Sequence, residues 1–450
     1  MNGNVLLAIA LILTTASQFR VGGLPFGPGE LCLVVWLGLR APELFRQPSP
    51  PLTPAFCRMG TFWLLLTISL AIGTLVGLAT GEIYDPNWFM HDCLAYPLLA
   101  AVSCVMVSGP EAARRLQSVA RAMIALGVPS LALLLAQAAG ILSIPSIEPW
   151  FWERFRGWSD NPNQLAVLCL SLAVVALHGI ETARRAGQWW SAMLCLVLAV
   201  WVGRLSQSDG CTFAMLAAGL VFAAMKMRAW LVMRGPRLML RSATAWIIIV
   251  AIPFAAAAMA PIVLSKPDSV GFLVSGLEKD GGKYADSEAK LRLALWRQAL
   301  ERSVRSGMLG LGPGPHLQMP AEIAADHTSG INQRGEMQSP QQGAAANYEA
   351  HNTPLDLLTQ GGLILVISFF WLFGRALTGV YRFRYAGLTA MLCGLVLFGM
   401  TGLIIRQPLV WFAIALCMVK VDEAEQDACS VNRSTLVARP PGRARAERHA

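Results

Sequence analysis

The sequence predicts an all-α, polytopic integral membrane protein with about 12 transmembrane helices and one large extramembrane loop that contains helical sequence. Two observations support this fold class. The first is composition: of 450 residues, 55% are hydrophobic and 14% are charged, whereas soluble proteins average about 25% charged residues. The second is pattern, because the apolar residues come in runs close to the ~20 residues that a helix needs to cross a bilayer. The composition excludes a disordered chain, a collagen and a disulfide scaffold.

Twelve apolar windows qualify as candidate transmembrane spans. They cover residues 4–19, 24–39, 59–80, 91–108, 122–145, 163–181, 188–203, 210–225, 244–264, 354–374, 387–404 and 408–420. The first and the last of these windows are the weakest.

Lys and Arg are distributed unequally between the two sides of the predicted spans. Sixteen of them lie in the short loops of one side, and five lie in the short loops of the other side: Arg20, Arg154, Arg156, Arg204 and Arg406. Cytoplasmic loops carry the excess of basic residues in membrane proteins. The richer side is therefore predicted to be cytoplasmic, and both termini are placed on it.

The predicted spans divide the chain into four regions. These are an N-terminal membrane region of about nine helices over 1–264, an outer loop over 265–353, C-terminal membrane helices over 354–420, and a disordered cytoplasmic tail over 421–450. The outer loop is the only polar segment large enough to build a site. Within it, periodicity predicts a helix over 286–305, and the Gly-, Pro- and Gln-rich stretch over 307–346 is predicted to be irregular or to form a mobile lid.

Four of the spans that run from the outer to the inner side begin with helix-start sequences. The starts are Asn161-Pro162 after Arg156, Ser208-Asp209 after Arg204, Thr353-Pro354 after His351, and Pro408 after Arg406. Either Ser208 or Asp209 is predicted to cap the second of these helices, and Thr353 the third, with Asp356 as the return half of a capping box.

These helix starts predict an anion site at the outer face. Helix N-termini present unpaired N–H donors and a positive dipole end, and with nearby guanidinium groups they bind phosphate or diphosphate. The candidate diphosphate-binding residues are Arg156, Arg204, Arg406, Asn163 and Asn352. The alternative is that these arginines only reach lipid headgroups.

Arg292 is unusual within the predicted loop helix because it projects from the apolar face. That face holds Leu293, Leu295, Trp296, Ala299, Leu300 and Val304 at 100° per residue. A guanidinium group on a packed face is costly unless it meets an anionic partner. Arg292 is therefore a candidate for binding a substrate anion, and the alternative is a frayed first turn from which it reaches water.

His351 is the candidate general base. It lies two residues before the predicted cap of the tenth span, at the membrane surface, and an imidazole can accept a proton near neutral pH. The alternative is a histidine that only hydrogen-bonds its own loop. His316 and His327, in the irregular part of the loop, are expected to be solvent-exposed.

Metal, cofactor and nucleic-acid sites are not expected. The ten cysteines lie in or beside apolar segments or in the tail, and no His-Glu-x-x-His motif is present. These features indicate neither a metal site nor a disulfide framework. The net charge of +9 comes from basic residues that punctuate apolar runs, whereas nucleic-acid binding needs them gathered on one soluble face.

Four stretches, in this order, resemble the motifs of the O-antigen ligase and O-antigen polymerase superfamily. They are RGWSDNPNQLA (156–166), LSQSDG (205–210), KLRLALWRQALE (290–301) leading to GLGPGPH (310–316), and EAHNTPLDLLTQGGL (349–363). The resemblance covers about residues 150–410, and the His-Asn motif followed by Gly-Gly is its most specific part. The family commonly has Ser-Arg-Gly where this chain has Ser208-Asp209-Gly210, and Arg204 is our candidate to supply the missing charge.

The resemblance implies a lipid-carrier-dependent glycosyltransferase of the bacterial inner membrane, with a large periplasmic loop and no requirement for a metal or cofactor. Its implied catalytic residues are His351 and Arg292. Its implied partners are an undecaprenyl-diphosphate-linked glycan donor, a glycan acceptor and membrane lipids, and other polysaccharide assembly proteins are further candidates.

We expect a polymerase that joins lipid-linked repeat units into an exported polysaccharide. The motifs leave open an O-antigen ligase that transfers the glycan to a lipid A-core or another acceptor. A lipid-linked glycan flippase is a third alternative, disfavoured because nearly all ionisable residues lie at span ends or in the outer loop and not near the midplane.

Overall fold

The computed structural model describes residues 3–20, 26–45, 52–151, 153–233, 282–318 and 348–437. In these ranges the regular secondary structure is helical, apart from a short antiparallel hairpin of β1 (Trp150–Phe151) and β2 (Arg154–Phe155) and an isolated bridge between Leu317 and Tyr348. The α-helices are α1 Gly3–Leu13, α2 Pro28–Phe45, α3 Pro54–Thr80, α4 Pro86–Val107, α5 Ala112–Ala138, α6 Pro162–Thr182, α7 Ala186–Leu205, α8 Asp209–Met233, α9 Gly282–Arg305, α10 Thr353–Arg382, α11 Ala386–Gly399 and α12 Pro408–Val437.

Seven of the described helices are long and apolar enough to cross a membrane. They are α3 to α8 and α10. Helices α1 and α11 are apolar but shorter. The protein is thus a helical, polytopic membrane protein, as predicted, but the described residues do not confirm about 12 spans. The ninth predicted span, 244–264, lies outside the described residues.

The centre of the bundle is formed by α6 and the first half of α12. Every residue over 165–178 and over 408–419 is buried. These segments are apolar on all faces, and such helices belong in a core. The Trp411 ring lies 4.4 Å from that of Trp63 and 5.1 Å from that of Phe62, measured between centroids, which joins α12 to α3.

Helix α12 continues to Val437, so the disorder predicted from residue 421 does not begin there. The reason is a tertiary contact at Asp422, which is buried. Its carboxylate accepts a hydrogen bond from the N–H of Ala55 (2.7 Å) at the start of α3, and it pairs with Arg58 (3.1 Å). Residues 438–450 of the predicted tail lie outside the described residues.

Helix α10 is broken at Gly362, whose φ of 68° and ψ of −164° are not helical. The glycine-rich segment, residues 307–316, lies against this break. The N–H groups of Leu311 and Gly312 donate to the carbonyl oxygens of Thr359 and Gln360, both at 2.8 Å. The segment that was predicted to be irregular is therefore packed against the bundle over this part of its length.

Candidate functional site

A cavity of about 320 Å³ lies where α2, α4, α6 and α12 begin, beside the segment that precedes α10. We call it the cavity below. Charged and amide side chains line it together with apolar residues of α2 and α4. Its polar lining includes Arg20, His91, Asn163, Glu349, His351 and Arg406. A concave, mostly apolar space with a few convergent polar groups is typical of a ligand site.

Three of the seven residues predicted from the sequence meet at the cavity: His351, Arg406 and Asn163. They come from different helix starts, and bundle packing brings those starts to one level. Asn352 is buried directly beside His351. The other three predicted residues do not line the cavity in its described extent.

His351 has a left-handed backbone with a φ of 49°, which is uncommon for a residue with a Cβ atom. Its two neighbours are held by one carboxylate. The N–H of Ala350 donates to Oδ1 of Asp356 (2.7 Å), and the N–H of Asn352 donates to Oδ2 of Asp356 (3.1 Å). The imidazole itself is exposed and lines the cavity, and the hydrogen bonds to Asp356 hold the backbone on both sides of it in this strained conformation.

The predicted cap of α10 was wrong by one residue. The cap is Asn352, whose Oδ1 accepts a hydrogen bond from the N–H of Leu355 (3.2 Å). The hydroxyl of Thr353 is used elsewhere: it donates to the carbonyl oxygen of Gly402 (2.6 Å) and accepts from the N–H of Ile404 (3.0 Å). The predicted hydrogen bond from the backbone N–H of the cap residue to the Asp356 carboxylate is confirmed, with Asn352 as the cap residue.

Arg406 is the most deeply placed cation of the cavity, with a side chain that is 10% exposed. Nη2 donates to Oδ2 of Asp92 (2.5 Å), and Nη1 pairs with the carboxylate of Glu349. Glu349 lies two residues before His351, so Arg406 links α4 to the segment that carries the candidate base. A guanidinium group held by two carboxylates has a closely defined orientation.

Asn163 lies in the first turn of α6, the helix that Asn161 caps as predicted through the N–H of Asn163 (2.8 Å). Arg154 Nη2 donates to the side-chain oxygen of Asn163 (3.1 Å), and Arg154 Nε donates to the carbonyl oxygen of Ser206 (3.1 Å). Arg154 therefore joins the starts of α6 and α8, and it orients one amide of the cavity wall.

Arg156 and Arg204 lie outside the described cavity lining. Arg156 pairs with the Glu148 carboxylate through Nη2 and donates to the Glu148 carbonyl oxygen through Nε, both at 2.9 Å. Arg204 is exposed near the end of α7 and donates to Oγ1 of Thr212 (3.1 Å) in α8. Asp209 is the exposed first residue of α8.

Arg292 lies on the packed face of α9, as the periodicity predicted. Leu295 and Ala299 on that face are buried, and Nε1 of Trp296 donates to the carbonyl oxygen of Ala350 (2.9 Å). Arg292 is half-buried one turn before Trp296. The other part of the predicted face is exposed in the described protein, at Leu293, Leu300 and Val304. Helix α9 thus docks beside His351, with Arg292 on the docking side.

The prediction that His316 is solvent-exposed was wrong. His316 is 2% exposed, and its Nε2 lies 2.8 Å from the carbonyl oxygen of Gly312. It is buried because the glycine-rich segment lies between the helices of the bundle and does not cover their outer surface. His327 lies outside the described residues.

Glu82, in the turn between α3 and α4, ties α9 and the glycine-rich segment to the bundle. Its Oε1 accepts a hydrogen bond from Nη1 of Arg302 (2.6 Å) and lies 3.5 Å from Nδ1 of His316. Burial raises the pKa of this carboxyl, but the contact with His316 and the charge of Arg302 outweigh burial and lower the pKa below its ordinary value of 4.5.

Sequence reasoning missed Asp92 and Glu349, the two carboxylates that hold Arg406. Asp92 offered a signal: it is a carboxylate inside the apolar window 91–108, and ionisable residues within spans are costly and often functional. Glu349 offered none beyond its closeness to His351. Over the part of the chain that the structure describes, no cluster of three metal-ligating side chains occurs.

The helix bundle and its cavity define a polytopic membrane protein with a charged binding site at one end. Residues 194–370 match the model of the O-antigen ligase family, and the chain therefore carries a domain of that family. The match begins in α7 and ends in α10, and it includes Arg204, Arg292, His351 and Asn352. The comparison with curated proteins found no match for this chain.

Proposed function

We propose that this protein polymerises undecaprenyl-diphosphate-linked oligosaccharide repeat units into an exported polysaccharide, at the periplasmic face of the bacterial inner membrane. The observation that carries the proposal is that His351 and Arg406 line one cavity. His351 belongs to the segment that matches the O-antigen ligase family. A base and a cation in one cavity suit the transfer of a sugar from a diphosphate to a hydroxyl group.

In the proposed reaction, an acceptor hydroxyl attacks the anomeric carbon of the donor sugar. The new bond joins the acceptor oxygen to that carbon, and the bond from the carbon to the diphosphate oxygen breaks. His351 takes the hydroxyl proton, and the diphosphate leaves with the bonding electrons. The diphosphate is already an activated leaving group, so the demands on the protein are to place the two substrates and to stabilise developing charge.

The cations that we assign to the diphosphate are Arg406 and Arg292. Arg406 lies in the cavity wall, and Arg292 lies on the face of α9 that docks next to Ala350. Asn163 and Asn352 are proposed to contribute through the starts of α6 and α10. For Arg156 and Arg204 the proposal rests on the sequence pattern alone.

A second candidate is an O-antigen ligase, which moves a finished glycan from the same carrier to a lipid A-core or another acceptor. The description of the matched family favours it. The two functions differ in what accumulates when the protein fails. A failed polymerase leaves single repeat units on the lipid carrier, whereas a failed ligase leaves long chains on it.

The test is to replace the chromosomal copy with His351→Asn or Arg292→Ala and to extract lipid-linked glycans at equal protein abundance. We expect carrier-linked single repeat units to accumulate in both strains. The control is Arg114→Ala, an exposed arginine in the first turn of α5, which should leave the product unchanged. Wild-type product in both site variants would refute the proposal.

A flippase remains the rival from another class. Purified protein in detergent has no second compartment, so a flippase has nothing to transport there. Conversion of a lipid-linked donor into longer chains under these conditions would exclude transport as the primary role. Absence of conversion, with donor and acceptor both supplied, would count against the transferase.

A further inference from the structure

Asp92 is a buried carboxylate in the first turns of α4, with 0% of its surface exposed. Its Oδ2 accepts two hydrogen bonds, from Nη2 of Arg406 (2.5 Å) and from the N–H of Gly314 (2.9 Å). Its Oδ1 lies 3.2 Å from Nδ1 of His91. One carboxylate therefore contacts the cavity arginine, a cavity histidine and the glycine-rich segment.

The orientation of Arg406 depends on this carboxylate. Glu349 holds the other terminal nitrogen, and Nε of Arg406 is buried without an acceptor among the described residues. The two carboxylates hold the terminal nitrogens of the guanidinium group, whose carbon also lies 5.9 Å from the centroid of the Trp88 ring. Loss of Asp92 would leave only one of the two ion pairs. One turn further along α4, the hydroxyl of Tyr96 donates to the side-chain oxygen of Gln360 (2.7 Å) beside the α10 break.

The charges of this cluster do not balance. Asp92 and Glu349 bring two negative charges against the single positive charge of Arg406. A diphosphate that enters the cavity therefore meets a guanidinium group whose positive charge is opposed by two carboxylates. At a separation of several ångströms in a partly buried site, one such charge changes the binding of an anion measurably.

We propose that Asp92 is a positioning residue for the cavity. It holds Arg406 and the glycine-rich segment in one geometry, and its charge limits how tightly the cavity retains a diphosphate leaving group. The inference rests on the proposed function, since it assumes that the diphosphate lies beside Arg406. Weak binding of the product favours turnover, because the cavity must release one diphosphate before it can bind the next donor.

A purely structural Asp92 would behave differently. If the residue only joined α4 to its neighbours, its substitution would loosen the cavity, so diphosphate binding and turnover would fall together. If Asp92 both positions Arg406 and weakens diphosphate binding through its charge, its substitution should change diphosphate binding and turnover in opposite directions. Binding should tighten because a negative charge is removed, and turnover should fall because Arg406 is no longer held.

The experiment uses the full chain in lipid nanodiscs and undecaprenyl diphosphate as the probe. Asp92→Asn keeps the shape of the side chain and an oxygen for the N–H of Gly314. We expect its Kd for undecaprenyl diphosphate to fall about tenfold. We expect its turnover of lipid-linked donor to fall about 10- to 100-fold.

The matched control is Asp422→Asn. Asp422 is also a buried carboxylate that accepts from a backbone N–H (Ala55, 2.7 Å) and from an arginine (Arg58, 3.1 Å). Asp422 belongs to α12 and lies beside the start of α3, whereas the glycine-rich segment lies near the other end of α3. Its substitution should lower the melting temperature to a similar degree as Asp92→Asn and leave both Kd and turnover unchanged.

The outcomes separate this inference from the proposed function. Wild-type protein that does not bind undecaprenyl diphosphate would overturn the proposed function, and this inference with it. If the wild type binds but Asp92→Asn binds no more tightly, only the role of Asp92 is refuted.

A second comparison covers the case in which Asp92→Asn does not fold. The double variant Asp92→Asn with Arg406→Gln removes both charges and avoids an unbalanced buried charge. Its turnover should equal that of Arg406→Gln alone, because Asp92 acts through Arg406. A turnover of the double variant well below that of Arg406→Gln alone would overturn the inference.

Discussion

Asp356 holds His351 from both sides, since its two carboxylate oxygens accept hydrogen bonds from the N–H groups of Ala350 (2.7 Å) and Asn352 (3.1 Å). His351 between them has a φ of 49°, a conformation that costs about 1–3 kcal/mol for a residue other than glycine. The buried carboxylate offsets that cost, and the imidazole stays at the cavity.

The first prediction concerns Asp356→Asn. An amide offers one oxygen and one NH2 group, so one of the two flanking N–H groups would face a donor instead of an acceptor. An unsatisfied buried donor costs about 1–3 kcal/mol, and a displaced base lowers turnover by at least about tenfold. Initial rates and melting temperature measure the two effects. Unchanged turnover in a folded variant would show that Asp356 does not place His351.

His351→Asn tests the imidazole without disturbing the backbone. Asparagine tolerates the left-handed region better than other residues with a side chain, so we expect the fold to be retained. General-base catalysis contributes about 10²- to 10⁴-fold, and turnover should fall by that factor. The comparison variant is His351→Val, which should also destabilise the segment because a β-branched residue is strained at this φ. Normal turnover in the asparagine variant would exclude His351 as the base.

Gly362→Ala should disrupt the docking of the glycine-rich segment. A Cβ atom at this position would lie 2.2 Å from the carbonyl oxygen of Met308, and the φ of 68° disfavours any side chain. We expect a loss of at least about 2 kcal/mol in the free energy of unfolding. Size-exclusion profiles after a heat step would measure it.

Gly374→Ala is the control for Gly362→Ala within the same helix. A Cβ atom there would meet nothing within 4 Å, and alanine favours the helix by up to about 1 kcal/mol. This variant should be as stable as the wild type or more so. Equal losses in both glycine variants would contradict the role of the α10 break.

The Glu82 contacts predict a dependence of stability on pH. The pKa of Glu82 is lowered, because its contacts with His316 and Arg302 outweigh the effect of burial. A lowered carboxyl pKa stabilises the fold above the ordinary value of 4.5, and the contribution is lost as pH falls through the lower, folded value. Glu82→Gln should therefore lower the melting temperature at pH 7 and differ little from the wild type at acid pH.

The control for Glu82→Gln is Glu111→Gln. Glu111 forms an exposed pair with Arg114, and exposed pairs contribute little to stability. Its melting curves should follow those of the wild type at every pH. A difference between Glu82→Gln and wild type that persists unchanged to low pH would refute the electrostatic explanation.

Substitutions of Arg406 and of Arg204 are predicted to lower turnover by different factors. Arg406→Gln removes the cation of the cavity wall and should lower turnover by at least about 100-fold. Arg204→Gln removes an exposed side chain bonded to Thr212 and should cost less than about tenfold. Equal losses would mean that Arg204 reaches the donor, as its sequence pattern suggests, and that the binding site extends beyond the described cavity.

Local chemistry in the sequence was sufficient for the membrane class and for the starts of α6 and α12, and it placed Arg292 on the packed face of α9, although half of the apolar residues predicted for that face are exposed. It also pointed to His351 before any contact was known. These features depend on composition, on helix periodicity and on residues such as Asn161 and Pro162 that act on their immediate neighbours. The match to the O-antigen ligase family covers three of the four stretches that carry the resemblance, and the stretch over 156–166 lies before it.

The pairing of Asp92 with Arg406, 314 positions apart in the chain, was decided only by tertiary packing. The same holds for the cap at Asn352 and the burial of His316: Thr353 is bonded to the turn before α12, and the glycine-rich segment enters the bundle at the α10 break. Periodicity places a side chain on a face of its own helix, but it carries no information about which distant helix start lies opposite. His351 was therefore visible in the sequence as a candidate base, whereas the pairing of Arg406 with Asp92 and Glu349 was not.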